Sequence, residues 1–298
     1  MRAILLIDFG STFTKLTAVD LDTPRVLGGA QAFTTAGSDI SIGLAKALER
    51  LDQSTGPLEF DARLACSSAA GGLNMVASGL VPGLTSKAAR MAAFGAGAKV
   101  IKTYAYKLTE DDILEINRVQ PDILLLCGGI DGGNSEVILH NAARVAGAAG
   151  DFPVLVAGNR NAQEECAALL ADSGHPVYTA PNVMPEMNTL NIEPAAEVIR
   201  QIFLKRIILA KGLNRAERLL DGIMMPTPAA VLKAMRLLSQ GTKKTAGLGD
   251  LIGVDLGGAT TDIYSISRGE PSNPAAILRG LPEPLAKRTV EGDLGMRY

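Results

Sequence analysis

The sequence predicts an α/β fold whose framework is built twice. Short apolar runs of strand length alternate with stretches of helical periodicity, the pattern of sheets layered with helices. One layout occurs at residues 3–20 and again at residues 251–266: an apolar strand, an aspartate, a glycine turn, hydroxyl residues and an alternating strand. Two copies of the same order indicate two related halves of one chain.

The first 150 residues are predicted to form a first lobe of strands and helices. Three strands come first, and a helix capped by Ser38 or Asp39 then runs to Leu51. After it we expect strands at residues 64–68, 100–106 and 123–126, and helices at residues 86–94, 109–119 and 135–148. The alternation of strand and helix favours helices packed on a sheet.

The remaining residues are predicted to form an added segment and the start of a second lobe. We expect strands at residues 153–157 and 177–180, helices at residues 161–172, 194–210 and 229–238, helical character at residues 216–221 and a break at residues 226–228. An inserted or extended α/β and helical segment is therefore placed at residues 151–249. Residues 250–298 carry the second copy of the hairpin, with a loop or long hairpin at residues 268–284.

The composition excludes several classes of function. The chain has 298 residues, a net charge of -2, no tryptophan and 4% aromatic residues, so it offers neither a basic surface for nucleic acid nor stacking platforms for bases and sugars. Its three cysteines are far apart, as in proteins of a reducing compartment. With no membrane-spanning run and no signal peptide, we expect a cytoplasmic protein without nucleic-acid or membrane partners.

The two hairpins carry the residue types that bind phosphate. A triphosphate needs backbone N–H groups that a glycine turn brings close, together with hydroxyls and carboxylates for Mg²⁺ and water. Asp8 and Asp255 each end a buried strand, so they are the predicted catalytic residues and metal ligands, with Asp262 as a further metal-site acid. The predicted phosphate-binding residues are Gly10, Ser11, Thr12, Lys15, Gly257, Gly258, Ala259, Thr260 and Thr261.

Both hairpins resemble the phosphate loops of the actin/Hsp70/sugar-kinase superfamily. The resemblance is carried by Ile7-Asp8-Phe9-Gly10-Ser11-Thr12-Phe13-Thr14-Lys15 as phosphate-1 and Val254-Asp255-Leu256-Gly257-Gly258-Ala259-Thr260-Thr261-Asp262 as phosphate-2. It implies an actin-like, ribonuclease H-like duplicated fold with ATP and Mg²⁺ between two lobes. It also implies that Asp8 and Asp255 lie near the metal and that hinge motion is coupled to hydrolysis.

Three further segments resemble a narrower family, the MutL (also called GlmL) proteins encoded beside adenosylcobalamin-dependent glutamate mutase and related mutases. They are Cys127-Gly128-Gly129-Ile130-Asp131-Gly132-Gly133-Asn134, Ala180-Pro181-Asn182-Val183-Met184-Pro185 and Thr289-Val290-Glu291-Gly292-Asp293-Leu294-Gly295-Met296-Arg297. The resemblance covers essentially the whole chain and implies an ATP-dependent accessory or chaperone-like role toward such a mutase. The superfamily's adenosine motif has no counterpart between Thr261 and Tyr298, so we expect a second lobe that is cut short.

Four other segments have two interpretations each. The Gly-rich loop at residues 128–134 contacts a nucleotide or partner, or it packs as a connector. The Ser67-Ser68 pair lines a cleft or forms a plain turn. The Lys243-Lys244 pair meets phosphate or an acidic partner, or lies in a solvated loop. Residues 182–188, with two methionines, bind a partner or pack in the core.

Three functions fit these patterns. The first is an ATPase whose lobe closure drives assembly, protection or reactivation of a mutase. The second is a small-molecule kinase, which would use Asp8 or a nearby acid as general base. The third is a nucleotide-dependent scaffold or filament protein. The ATPase is favoured because the sequence has no recognisable substrate-lobe acid or acceptor pocket of a kinase.

Overall fold

A computed structural model describes residues 2–35, 39–68, 73–210, 220–258, 260–268, 281 and 283–292. The strands are β1 (Ala3–Phe9), β2 (Phe13–Asp20), β3 (Arg25–Phe33), β4 (Ala62–Ser67), β5 (Asn74–Gly79), β6 (Lys99–Ala105), β7 (Ile123–Leu126), β8 (Val154–Val156), β9 (Val177–Thr179), β10 (Gly222–Pro226), β11 (Leu251–Leu256), β12 (Thr260–Ile266) and β13 (Ala286–Gly292). The helices are α1 (Ile40–Thr55), α2 (Thr85–Gly95), α3 (Glu110–Val119), α4 (Glu136–Ala146), α5 (Arg160–Asp172), α6 (Glu193–Ala210) and α7 (Thr227–Gln240). The predicted α/β fold class is confirmed.

The first sheet is built around β1 and has the order β10-β4-β1-β2-β3. β1, β2 and β3 form an antiparallel meander, whereas β4 runs parallel to both β1 and β10. Leu5, Ile7 and Phe9 of β1 are buried in one cluster with Leu44 and Leu51 of α1. Because the apolar side of the strand is fixed in this core, the turn that follows it starts from a rigid end.

The second sheet is wholly parallel and has the order β6-β5-β7-β8-β9. Its central strand β7 is an apolar run in which every residue is 0% exposed. Ile123 and Leu125 join a cluster with α2 and α6, while Leu124 and Leu126 join a cluster with α3, α4 and α5. Successive side chains point to opposite faces and both faces are covered by helices, which explains the uninterrupted apolar sequence of β7.

The parallel sheet is inserted into the sequence of the first sheet. Its strands fall between β4 and β10, which are hydrogen-bonded neighbours. The predicted boundary between residues 150 and 151 therefore lies inside the parallel sheet, between α4 and β8. Local periodicity locates strands but does not say which of them pair. The Arg63 N–H and the Asp221 carboxylate that accepts its hydrogen bond are 158 residues apart in sequence.

The third sheet carries the second hairpin and has the order β11-β12-β13, with antiparallel pairing throughout. α2 and α7 both pack against β13. β5, β10 and β13 are not predicted in the sequence analysis. β10 is short and ends at Pro226, which favours a break over a strand when only local signals are used. Of the stretches predicted as helix or loop, residues 216–219 and 269–280 lie outside the described residues.

The Gly-rich loop after β7 is held by hydrogen bonds to two buried asparagines outside it. Asn159, which is 0% exposed, accepts from the Gly132 N–H at 3.2 Å and donates to the Gly133 carbonyl at 3.1 Å. Asn182, 3% exposed, donates to the Gly129 carbonyl at 3.0 Å and to the Asp131 carboxylate at 2.9 Å. The geometry favours the connector interpretation of this loop and places the start of the 182–188 segment in the core.

Among the helices in the described ranges, none is long and apolar enough to cross a membrane.

Replacing Asn159 with alanine is expected to lower the free energy of unfolding by about 3 kcal/mol, because its side chain loses hydrogen bonds with the Gly132 N–H, the Gly133 carbonyl and the Asn161 N–H at about 1 kcal/mol each. Urea denaturation measures the change. Thr109→Ala serves as the comparison, since it removes only the exposed capping box of α3 and is expected to cost about 1 kcal/mol. A smaller loss for Asn159→Ala than for Thr109→Ala would contradict the structural role given to Asn159.

Candidate active site

The two hairpins have the same internal hydrogen bond. In the first, the Gly10 N–H donates to the Phe13 carbonyl oxygen at 3.0 Å. In the second, the Gly257 N–H donates to the Thr260 carbonyl oxygen at 2.9 Å. In both hairpins the donor and the acceptor of this bond stand at the same positions relative to the aspartate. The duplication predicted from the sequence therefore extends to the backbone geometry of the turns.

The strand registers of the hairpins are equivalent, with one change of charge. Asp8 lies opposite Lys15 between β1 and β2, and Asp255 lies opposite Asp262 between β11 and β12. The first aspartate thus has a cation across the ladder, whereas the second has another carboxylate. Directly opposite like charges destabilise a sheet, so the second pair needs a counter-charge from elsewhere.

Glycine lets the tips of the two hairpins meet. A Cβ at Gly258 would lie 2.2 Å from Oγ1 and 3.1 Å from Cβ of Thr12 on the opposite hairpin. A Cβ at Gly10 would lie 2.7 Å from the carbonyl oxygen of Phe13 within its own turn. Side chains at these positions would push the hairpins apart or open the turn.

A cleft of about 140 Å³ lies between the hairpins. The predicted site residues that line it are Asp8, Gly10, Ser11, Thr12, Lys15, Asp255, Gly257, Gly258, Thr260 and Asp262. Thr261 does not line the cleft and pairs with Leu256 in the β ladder. Ala259 lies outside the described residues. Ten of the residues singled out in the sequence are thus brought to one cleft from two distant parts of the chain.

The structure gives the positions of two pairs whose interpretation the sequence leaves open. Ser68 lines the cleft, whereas its neighbour Ser67 is fully buried. Lys243 and Lys244 are exposed and do not line the cleft, which fits the solvated-loop interpretation.

Asp8 is held by groups from three parts of the first sheet and its connections. Its Oδ2 lies 3.5 Å from Lys15 Nζ, and its Oδ1 accepts a hydrogen bond from Thr227 Oγ1 at 2.7 Å. The Cys66 thiol also points at Oδ1, with Sγ at 3.6 Å. Thr227 is the first residue of α7, so this helix begins at the carboxylate of the first hairpin.

Asp255 and Asp262 share one environment on the second hairpin. Burial raises the pKa of Asp255, and the nearby Asp262 carboxylate raises it further, while Lys15 opposes both effects. Asp262 is paired with the buried Arg288, whose Nε lies 2.7 Å and Nη2 2.5 Å from its Oδ1. Arg288 is the counter-charge that the like-charged ladder pair needs. Its Nη1 also donates to the Ala98 carbonyl at 2.9 Å, outside the third sheet.

Three cleft-lining residues with polar side chains have no site role in the sequence analysis: Thr227, Arg288 and Lys99. The Pro226-Thr227-Pro228 run marks the junction between β10 and α7, and a hydroxyl at such a strand-to-helix junction is a signal that points to Thr227. No local pattern distinguishes Arg288 or Lys99 from surface cations. Their positions depend on how distant sheets pack.

The donor set of the cleft suits a magnesium ion. Within the described ranges, no group of three or more His, Cys, Asp and Glu side chains is placed to hold a metal. Asp8 and Asp255 line the cleft from opposite hairpins. Mg²⁺ in phosphoryl-transfer sites is bound by one or two carboxylates, and phosphate oxygens and water complete its coordination shell. Two aspartates are therefore enough protein ligands for such an ion.

The family model described as MutL protein matches residues 4–298. The chain belongs to the MutL family. A curated relative, "Protein MutL" of Clostridium tetanomorphum, is 55% identical over 300 residues, which cover 100% of this chain and 65% of the relative. The chain therefore spans about 65% of the length of the curated relative that it matches.

Solved structures similar to this MutL-family chain include an activator protein and a xylulose kinase. An activator of the 2-hydroxyisocaproyl-CoA dehydratase from Clostridium difficile with bound ADPNP is 8% identical, with a TM-score of 0.20, over 75% of this chain and 100% of its own. A xylulose kinase from Bifidobacterium adolescentis is 16% identical, with a TM-score of 0.27, over 90% of this chain and 59% of its own. These overall similarities are low, and the fold description rests on strand order and hairpin register.

The thiol of Cys66 tests the geometry around Asp8 without reference to activity. Burial and the Asp8 carboxylate raise the pKa of Cys66 to about 12. Asp8→Asn removes the negative charge and should lower that pKa, since a thiolate is no longer repelled. We expect iodoacetamide to alkylate Cys66 about fivefold faster in Asp8→Asn than in the parent at one alkaline pH, as measured by peptide mass spectrometry.

The matched control is Asp61→Asn, which removes a carboxylate just before β4, the strand that carries Cys66. It is expected to leave the alkylation rate unchanged. An equal alkylation rate of Cys66 in Asp8→Asn and in the parent would contradict the contact between the Cys66 thiol and the Asp8 carboxylate.

Proposed function

We propose that the chain binds ATP between its two hairpins and hydrolyses it. The observation that carries the proposal is the cleft itself, where two glycine turns meet with Asp8 on one side and Asp255 on the other. Backbone N–H groups of such turns, a lysine and hydroxyls are the donors that phosphate oxygens use. The cleft-lining residues proposed to hold phosphate are Gly10, Ser11, Thr12, Lys15, Gly257, Gly258 and Thr260.

The size of the cleft suits the phosphate end of a nucleotide. At about 140 Å³ it is smaller than sites for whole organic ligands, which measure about 300–1,000 Å³. We infer that it receives the terminal phosphates, that the nucleoside lies outside it, and that the hairpins separate to admit ATP. The side chain of Lys15 is 56% exposed, so it is free to turn from Asp8 toward a phosphate.

Asp8 and Asp255 are the carboxylates proposed to hold Mg²⁺. The ion, when bound, supplies positive charge that stabilises the phosphoryl group during transfer. Asp262 was also predicted as a metal-site acid, but one of its oxygens already faces Arg288. We therefore propose that Asp262 supports the site from behind Asp255.

Asp255 is the proposed catalytic acceptor of the water proton, and Asp8 its partner across the cleft. Burial first and Asp262 second raise the pKa of Asp255 in the metal-free protein, whereas a bound Mg²⁺ would lower it. Its proposed proton-accepting role therefore rests on the position of its carboxylate in the cleft. Asp8 keeps its place through Thr227 and Lys15. In this arrangement Asp255 orients the attacking water toward the terminal phosphate, and Asp8 positions the phosphate group from the opposite side of the cleft.

Opening and closing of the cleft would be transmitted by two contacts. Thr227 couples Asp8 to the start of α7, a helix that packs against β12 and β13. Arg288 couples Asp262 to the Ala98 carbonyl before β6. Separation of the hairpins would strain both contacts, so phosphate occupancy and the relative positions of the sheets are linked.

The proposed task of this ATPase is to assist an adenosylcobalamin-dependent mutase, glutamate mutase or a related enzyme, in the cytoplasm. Support comes from membership in the MutL family and from the facing hairpins, which suit a protein that converts hydrolysis into movement. The movement would serve assembly, protection or reactivation of the mutase.

Asp255→Asn is expected to lower the ATP hydrolysis rate at least about 100-fold while changing ATP affinity by no more than about threefold, because the amide cannot accept the water proton but keeps the shape of the carboxylate. Steady-state hydrolysis and calorimetric titration with a non-hydrolysable ATP analogue measure the two effects in the full-length protein.

Asp250→Asn is the control, since this exposed aspartate just before β11 bonds Ser267 and does not line the cleft. It is expected to keep both values. Undiminished turnover in Asp255→Asn would remove Asp255 from the mechanism.

Adding a purified adenosylcobalamin-dependent mutase is expected to change the ATP hydrolysis rate of the full-length protein at least about threefold. A partner that binds the open and closed states of the cleft with different affinity shifts the equilibrium between them. Rate measurements with and without the mutase, together with a binding titration, test this. If the mutase does not bind and a small metabolite is phosphorylated instead, the protein is a kinase.

A further inference from the structure

A second and much larger cavity lies on the other side of the cleft wall. This groove, about 970 Å³ in volume, is enclosed by α2, residues 188–193, the start of α6, α7 and β13. Arg288 lines both the groove and the cleft. The groove contains none of the hairpin residues proposed to bind phosphate.

The groove concentrates positive charge in a chain that is slightly acidic. Seven lysines and arginines line it, with only two glutamates, although the chain as a whole has 29 basic and 31 acidic residues. Such an excess in one cavity creates a local positive potential that the net charge of -2 conceals.

Three of the seven cations are already paired. Lys87 lies 2.8 Å from Glu283, one of the two lining glutamates. Arg200 lies 2.7 Å from Glu197, and Arg288 is the buried partner of Asp262. These pairs reduce the positive charge available to a ligand but leave the remaining cations untouched.

Four cations of the groove make no ion pair with any residue that the structure describes: Arg90, Lys233, Arg236 and Lys287. They come from three different elements, α2, α7 and β13, and converge on one cavity. Glu193 is the remaining lining acid. Convergence from separate elements distinguishes this group from a run of charges along one solvated helix face.

The groove also has an apolar lining between the cations. Met91 and Phe94 of α2, Leu190 of the segment before α6 and Leu232 of α7 contribute to it. The Arg90 guanidinium lies 5.8 Å from the centre of the Phe94 ring, which holds a cation above an aromatic face. A small-molecule site typically combines such an apolar lining with a few convergent charged groups.

We propose that the groove binds an organic anion in which a phosphate or carboxylate is attached to an apolar body. The volume fits a ligand of that class, the apolar lining takes its body, and Lys233 and Arg236 on one face of α7 take its charge. The proposal does not depend on ATP binding at the hairpins. It does place the ligand against α7, the helix whose first residue bonds Asp8.

Four probes separate the two parts of the proposed ligand in calorimetric titrations of the full-length protein. 1-Naphthyl phosphate and 1-naphthoate carry the apolar body and either anion, 1-naphthol carries the body alone, and inorganic phosphate carries the charge alone. At least one of the two naphthyl anions is expected to bind about tenfold more tightly than both 1-naphthol and phosphate. The anion that binds identifies the head group.

Paired variants locate the binding. Lys233→Gln/Arg236→Gln removes two exposed groove cations and is expected to weaken the naphthyl anion about tenfold. Lys46→Gln/Lys243→Gln removes two exposed cations that do not line the groove and is expected to leave affinity within about twofold. Equal losses in the two double variants, equal binding of 1-naphthol and the anions, or no anion binding to the parent would each overturn the proposal.

Discussion

The second hairpin depends on the buried ion pair between Arg288 and Asp262. The two side chains are only 3% and 9% exposed, and each desolvated charge costs several kcal/mol unless its partner is well placed. Arg288 meets that condition with Nε and Nη2 on Asp262, and it uses Nη1 to reach the Ala98 carbonyl. One guanidinium thus neutralises the carboxylate opposite Asp255 and attaches the third sheet to the residues that enter the parallel sheet. The spacing of the hairpins follows from this attachment.

The hairpins are alike in backbone and differ in charge at one ladder position. Lys15 leaves Asp8 with a cation beside it, whereas Asp262 leaves Asp255 with a second carboxylate and a raised pKa. In the proposed ATPase, two hairpins with identical charges would either repel phosphate twice or hold it without a proton acceptor. The difference between Lys15 and Asp262 at the same ladder position would avoid both outcomes.

The sequence predicts those parts of the site that have local signals. The strand, aspartate and glycine turn are consecutive in the chain, so residues such as Gly10 and Gly257 are recognisable without a structure. Arg288 is not, since its role arises from packing between segments far apart in sequence, and Thr227 has only the weak signal of its place between two prolines. The same limit explains the position of the predicted 150/151 boundary within the parallel sheet. The loop at residues 128–134 shows the converse, because its glycines look like a ligand site while Asn159 and Asn182 occupy its polar groups.

The insertion of a whole parallel sheet between β4 and β10 also orders the events of folding. β4 has an open edge until β10 arrives, and the hydrogen bond from Thr227 to Asp8 joins residues 219 positions apart. Closing so long a loop is slow relative to local pairing, so the β1–β2 hairpin forms early. Asp8 then gains its hydrogen bond from Thr227 only at a later stage of folding. On the ribosome the inserted sheet emerges before β10 and can fold first. Until then, the unpaired edge of β4 is the place where the nascent chain is most exposed to pairing with a wrong strand. The pairing of β10 covers this edge and at the same time brings Thr227 to Asp8, which completes the cleft.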